Sequence, residues 1–193
     1  MVPKYVAMVL LAAMLAIVAA TGAIAQEAEE TEPASDTASE EPSDAERGTE
    51  VGAAAESCTG GQVNLSSDEK RMLELHNKTR ADRRLPRLCV HPALQKAARA
   101  QSREMISKDR FSHGNVGQRL KKFGYRWSTY GENILRDPGS RDSEESLFKL
   151  WMKSSGHRAN ILEKSFREVG IGASSGKYRG DRTTMWTVDF GDR

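Results

Sequence analysis

Met72, Leu73, His76, Thr79 and Arg80 fall on one face at helical spacing, and Leu94, Ala97, Ala98, Gln101 and Met105 form a second such stripe. The first stripe predicts a helix opened by Ser66, with Glu69 at capping-box distance, and ended before Pro86. The second predicts a helix starting at His91-Pro92, with proline in its first turn, and its alanines allow close packing on another layer. A short helix is expected over Asn115 to Phe123, stopped by Gly124. Asp142 is expected to cap a fourth helix whose inner face carries Leu147, Leu150 and Trp151. Gly156 interrupts it, and a helical turn follows over Ala159 to Leu162. Tyr130 to Leu135, Val169 to Ala173 and Met185 to Phe190 read as strands, with a hairpin over Gly176 to Asp181. Helices come mainly first and strands mainly last. That order predicts an α+β fold with an antiparallel sheet, not a parallel βαβ arrangement.

The chain before residue 58 follows neither pattern. Met1 to Ala25 carries one charge, Lys4, and an apolar run ending in Ala23-Ile24-Ala25. This is the pattern of a secretory signal with a small-residue cleavage site. Left uncleaved, the 21 uncharged residues from Tyr5 to Ala25 are long enough to cross a bilayer, and this is the expected route to membrane attachment. Gln26 to Ser57 holds 11 acidic residues and one basic one, Arg47, with no aromatic residue. Such a segment buries too little apolar surface to offset its chain entropy, so residues 26–57 are expected to form a disordered acidic linker. The folded domain is expected over 58–193.

Charge separates the same two regions. The chain has 29 basic and 27 acidic residues. Removing Lys4, Arg47 and the 11 linker acids leaves 27 basic and 16 acidic, so the domain stands near +11. An exported basic domain is expected to meet an anionic cell-envelope polymer or lipid. Nucleic acid is not expected, because the chain has no repeat of stacking aromatics. A monomer is expected. Cys58 and Cys89 are the two cysteines, and in an oxidising compartment they read as one disulfide. Closing a loop of about 30 residues contributes about 3–4 kcal/mol in the chain-entropy model. A reactive thiol is the other reading.

Three titratable residues stand at the edges of predicted elements, where sites tend to be built: His113 in Phe111-Ser112-His113, Glu132 in Gly131-Glu132-Asn133-Ile134, and His157 beside Gly156. Two imidazoles and a carboxylate suit Zn²⁺ or a similar ion, and equally suit proton transfer. His76 reads as a core histidine and His91 as a helix cap. The serines beside His113 and His157 lack a G-x-S-x-G elbow, and no H-E-x-x-H is present, which argues against a serine hydrolase and a zincin.

Leu75-His76-Asn77-x-x-Arg80, Phe111-Ser112-His113, Gly131-Glu132-Asn133-Ile134, Trp151-Met152-x-Ser154-x-Gly156-His157-Arg158-x-Asn160-Ile161-Leu162, Val169-Gly170-Ile171-Gly172 and Trp186-Thr187-Val188-Asp189-Phe190-Gly191 follow one another in this order. Over residues 67 to 191 the chain thereby resembles the CAP superfamily of cysteine-rich secretory proteins, venom allergens and pathogenesis-related proteins, in its bacterial branch. The resemblance implies a three-layer α-β-α sandwich with a central cleft. It also implies that two histidines and two acids line that cleft and hold a divalent cation, often zinc. Carried over by motif, these are His113, His157 and Glu132; the place of the second acid holds Ser154.

Two functions are open on this reading. One is a secreted module binding an anionic envelope component or lipid, with a metal modulating the cleft. The other is a metal-assisted hydrolase in which His113 and His157 hold Zn²⁺ and Glu132 is the catalytic general base. In a third, structural reading Glu132 orients His157 without metal.

Overall fold

A computed structural model describes residues 53–139 and 142–193. The expected signal, residues 1–25, and the expected linker up to residue 52 lie outside the described residues. The chain from Ala53 onward runs β1 (Ala53–Glu56), β2 (Gln62–Leu65), α1 (Ser67–Ala81), β3 (Cys89–Val90), α2 (Pro92–Ser107), α3 (Val116–Lys122), β4 (Thr129–Asp137), α4 (Glu144–Lys153), α5 (Ser155–Leu162), β5 (Glu168–Tyr178) and β6 (Asp181–Asp192). The main sheet has strand order β3-β5-β6-β4, antiparallel except for the two-residue parallel pairing of β3 with β5. This is the α+β sandwich expected, with one short parallel edge added.

Alternation along β5 and β6 builds the three layers. Val169 and Ile171, with Trp186, Val188 and Phe190, join Met72 of α1, Phe148 and Trp151 of α4 and Ile161 of α5 in one buried cluster. The intervening positions face α2. There Gly170 and Gly172 have no side chain, and a Cβ at Gly170 would overlap the backbone of Leu94 and Gln95. At Gly172 a Cβ would stand 2.5 Å from the carbonyl carbon of Ala98. Helix and strand therefore meet backbone to backbone, with Ala97 and Ala98 fully buried between them. Polar bonds lock the register: the Gln95 amide exchanges two hydrogen bonds with Ile171, and Ser102 Oγ donates to Gly172 O at 2.9 Å.

The helix signals hold where they are local. Ser66 and Glu69 make the capping box, His91 Nδ1 accepts from Ala93 N at 3.1 Å, and Gly124 follows α3 with φ 86°. The motif residues of α1 are structural. Asn77 exchanges two hydrogen bonds with the Leu88 backbone. Arg80 is fully buried and donates to the carbonyls of Pro86, Ile161, Glu163 and Phe166 at 2.8–3.0 Å, tying α1 to the end of α5. His76 is fully buried against Phe148, Trp151 and Phe190, and donates from Nδ1 to Met72 O.

Four expectations are corrected. Ala53–Glu56, placed in the linker by its composition, pairs as β1 with β2, because main-chain bonds do not depend on side-chain type. The Cys58–Cys89 disulfide, Cα atoms 5.3 Å apart, holds this hairpin to β3, where Cys58 N donates to Val90 O. The cap of α4 is Ser143, whose hydroxyl accepts from Ser146 N, not Asp142. Leu150 is 51% exposed rather than inward. The β5–β6 hairpin closes with two residues, Arg179 and Gly180, both at positive φ, so the strands run farther than expected.

Two outcomes follow from this packing. Gly170→Ala should destabilise the fold by about 3 kcal/mol or more, read from urea unfolding, because helix backbone cannot move aside as a side chain can. Burial lowers the His76 pKa to about 4. The unfolded chain, with its histidine near 6.5, then binds the proton that the folded one refuses. Wild-type stability should therefore fall relative to His76→Leu as pH drops from about 6.5 to about 4, by up to about 1.4 kcal/mol per pH unit.

Candidate functional site

Strand β4 is an edge of the main sheet, so side chains from both helical layers can meet across it. From one side comes the Phe111–His113 segment that follows α2. From the other come Trp151 and Leu150 of α4, Ser154 at the α4–α5 junction and His157 of α5. Together with Ile134 and Leu135 they line a cleft of about 470 Å³. The structure thus places His113 and His157 on one cleft although 44 residues separate them.

The two most specific motifs hold this edge together. Asn160 Nδ2 donates to Glu132 O at 3.1 Å and to Asn133 Oδ1 at 2.9 Å, and Asn133 Nδ2 donates to His157 O at 3.0 Å. Gly131 lies under this junction: a Cβ there would come within 3.0 Å of Asn160 Oδ1 and the Phe166 ring. The amides of the two motifs therefore fix α5, and with it His157, against β4.

Glu132 lies on the other face of β4, directly opposite Asp189 of β6. Both are buried, and like charges opposite one another on a sheet repel. Arg119 of α3 answers them. Its Nη2 pairs with Glu132 Oε2 and stands 3.5 Å from Asp189 Oδ1, while Nη1 donates to Gln101 Oε1 and to His113 O. One guanidinium faces two carboxylates. Burial raises Asp189 well above the usual carboxylate range, and the charge of Glu132 adds to this. Burial also raises Glu132, to about 7, against the opposing pull of Arg119. Asp189 is the fully buried member and has no aligned hydrogen bond, so it carries the proton and Glu132 the charge.

Glu132 Oε1 is 2.7 Å from His113 Nδ1. The ionised carboxylate fixes the proton on Nδ1 and leaves the Nε2 lone pair free. Burial lowers the pKa of both His113 and His157. Arg119 adds to the effect at the first and His113 at the second. Both shifts favour the neutral ring.

Glu132 therefore orients His113, not His157, and stands behind the histidine instead of beside it. Among the described residues no group of three or more His, Cys, Asp or Glu side chains is arranged to hold a metal ion. Zinc sites use three or four protein donors, whereas this cleft offers two imidazoles and a serine. The set His113, Glu132 and His157 does not assemble as one group of ligands. A general base also needs a free carboxylate oxygen, and both oxygens of Glu132 are engaged. Sequence reading missed Arg119 and the role of Asp189. A carboxylate within the apolar run Trp186 to Phe190 was the available signal for the second.

The cysteine-rich secretory protein family model, CAP, matches residues 73–190. YkwD, an uncharacterised protein of Bacillus subtilis (strain 168), is 34% identical over 174 residues, covering 86% of this chain and 64% of the relative. This chain thus spans less than two thirds of that relative's length. The crystal structure of an extracellular protein containing an SCP domain from Bacillus anthracis is similar at TM-score 0.56 and 25% identity, over 65% of this chain and 40% of that one. An outer surface protein of Borrelia burgdorferi shares the fold at TM-score 0.55 and 17% identity, over 74% of this chain and 98% of that one. Among the described residues no helix is long and apolar enough to cross a membrane.

Arg119→Met leaves the buried, ionised Glu132 with no counter-charge and should cost about 3–5 kcal/mol at pH 7.5 in urea unfolding. Without Arg119 the folded-state carboxylate pKa values rise farther above their unfolded values. The deficit should therefore shrink as pH falls toward 5, where Glu132 takes up a proton as Asp189 already has.

Proposed function

This chain belongs to the cysteine-rich secretory protein (CAP) family, and from that premise we propose that its domain is an exported binding module that takes the acyl chain of an anionic envelope lipid in the His113–His157 cleft. The family fold by itself does not choose a function, so the reading rests on the site. The observation that carries it is the commitment of Glu132. With both oxygens held by His113 and Arg119, the cleft has no free carboxylate base. What remains open to a ligand is a mainly apolar wall that carries two imidazoles.

Phe111 and Leu150 flank that wall and are 44% and 51% exposed. Large apolar side chains left open at a concave surface mark a place where another apolar surface binds. Arg136 lines the same cleft and supplies a cation for a headgroup. The excess of basic residues in 58–193 favours an anionic lipid over a zwitterionic one. Ser154, at the position where the family resemblance implies a second acid, keeps the cleft less negative and agrees with an anionic guest.

The test is flotation of the purified chain with phosphatidylglycerol and phosphatidylcholine vesicles, alongside equilibrium binding of a long-chain fatty acid. Binding should favour the anionic vesicles and survive a strong chelator. Leu150→Asp should weaken fatty-acid binding about tenfold or more, with the unfolding midpoint unchanged because Leu150 is half exposed. Binding that ignores Leu150→Asp would overturn the reading. Chelator-sensitive hydrolysis of a peptide or ester, lost in Glu132→Ala, would replace it with the hydrolase.

A further inference from the structure

Behind the Phe111–His113 segment lies a second and larger cavity, of about 520 Å³, between α2, α3 and the residues joining them. Ser112 lines both this cavity and the cleft, so a single stretch of backbone divides them. Nothing in the lipid reading uses this space.

Its charge is uneven. Arg110, Arg119 and Lys122 line it, against one carboxylate, Glu104. Arg119 is occupied with Glu132, Asp189 and Gln101. Glu104 is paired with Lys108 at 2.7 Å, which offsets its charge, and it also lies in the field of Arg110. The side chains of Arg110 and Lys122 are exposed and make no hydrogen bond or ion pair among the described residues. Two cations on one concavity with no protein anion bound to them point to an external anion.

The rest of the wall narrows the class. The Gln118 side-chain amide has no partner among the described residues, and Ser112 has a hydroxyl proton to give although its oxygen already accepts from Gly114 N. The half-buried Phe123 ring, with Met105 and Ala100, supplies an apolar patch. A bare inorganic anion would fill a small part of the space and leave that patch unused. An acyl chain would leave the amide and hydroxyl groups unpaired, at a greater cost than in the cleft next door, whose wall is mainly apolar. A sugar ring presents hydroxyls at its edge and C–H groups on its face, which suits both kinds of wall.

We propose that this cavity binds an acidic sugar unit, with its carboxylate or phosphate held by Arg110 and Lys122, its hydroxyls by Gln118 and Ser112, and one ring face on Phe123. The site is separate from the cleft, and the lipid reading neither requires it nor is required by it.

The experiment is calorimetric titration of the full chain at fixed ionic strength with three probes: a galacturonic acid trimer, glucose 6-phosphate and the neutral maltotriose. Either acidic probe should bind and maltotriose should not; which acidic probe binds tighter identifies the anionic group. Arg110→Glu and Lys122→Glu should each weaken binding about tenfold or more, and both are exposed, so the fold tolerates them. Lys149→Glu makes the same charge change on α4 and should alter affinity less than about twofold. Leu150→Asp should leave sugar binding unchanged, so that failure of the lipid reading is seen separately. Equal losses in Lys149→Glu and Lys122→Glu would mean a diffuse field and overturn the proposal. So would maltotriose binding as tightly as the acidic probes, loss of sugar binding in Leu150→Asp, or no binding of either acidic probe at millimolar concentration.

Discussion

Direct backbone contact between α2 and β5 at Gly170 and Gly172 is the constraint on which the rest of the molecule depends. Both of these positions lack the atom that would hold helix and strand apart, and the helix answers with alanines. Dispersion falls steeply with distance, so this close approach gives the layer pair its packing energy and also fixes how α2 lies along the sheet. Gln95 and Ser102 then convert proximity into register by bonding the carbonyls of Ile171 and Gly172. Because α2 is fixed, Gln101 is fixed, and its amide holds Ser112 O just before His113. The position of one cleft histidine thus descends from two missing side chains on β5, which β6 separates from β4.

The opposite histidine is placed by different means. His157 rides on α5, which is tied to β4 by the amides of Asn133 and Asn160, while Arg80 ties the end of α5 to α1. These groups share one device: a buried side chain with several donors gathers carbonyls from segments distant in sequence. Such groups cost desolvation, which is offset only when each donor finds a partner. The polar residues of the most specific motifs are in this sense mostly fasteners. His113 and His157 are the members that keep a free face toward the cleft.

The cluster of Arg119, Glu132 and Asp189 sets the electrostatics behind the cleft. Two carboxylates opposite one another on adjacent strands would repel strongly in a desolvated position, and one guanidinium neutralises only one of them. The proton on Asp189 neutralises the other. The consequence reaches the surface through His113, whose tautomer is set by the ionised Glu132. A residue chosen from sequence as ligand or base becomes, in the folded protein, the group that aims an imidazole.

The sequence by itself determined what depends on neighbours. The capping box at Ser66, the proline start of α2, the glycine stop after α3, and the period-2 runs of β5 and β6 are local signals, and the structure realises each of them. The motif order also pointed to the family and hence to the α-β-α arrangement. Local signals failed where a contact comes from far away. Ala53–Glu56 is ordered by pairing with β2, which its composition cannot reveal. Leu150 sits at inward helical spacing but faces out at the mouth of a cleft that exists only once α4 crosses β4. Only the tertiary structure decided that His113 and His157 share a cleft and that Glu132 faces Arg119 and Asp189 rather than that cleft. Whether a carboxylate serves as base, ligand or buried ion-pair partner depends on its desolvation and its neighbours in space, and both are fixed by how the layers pack rather than by which residues stand next in the chain.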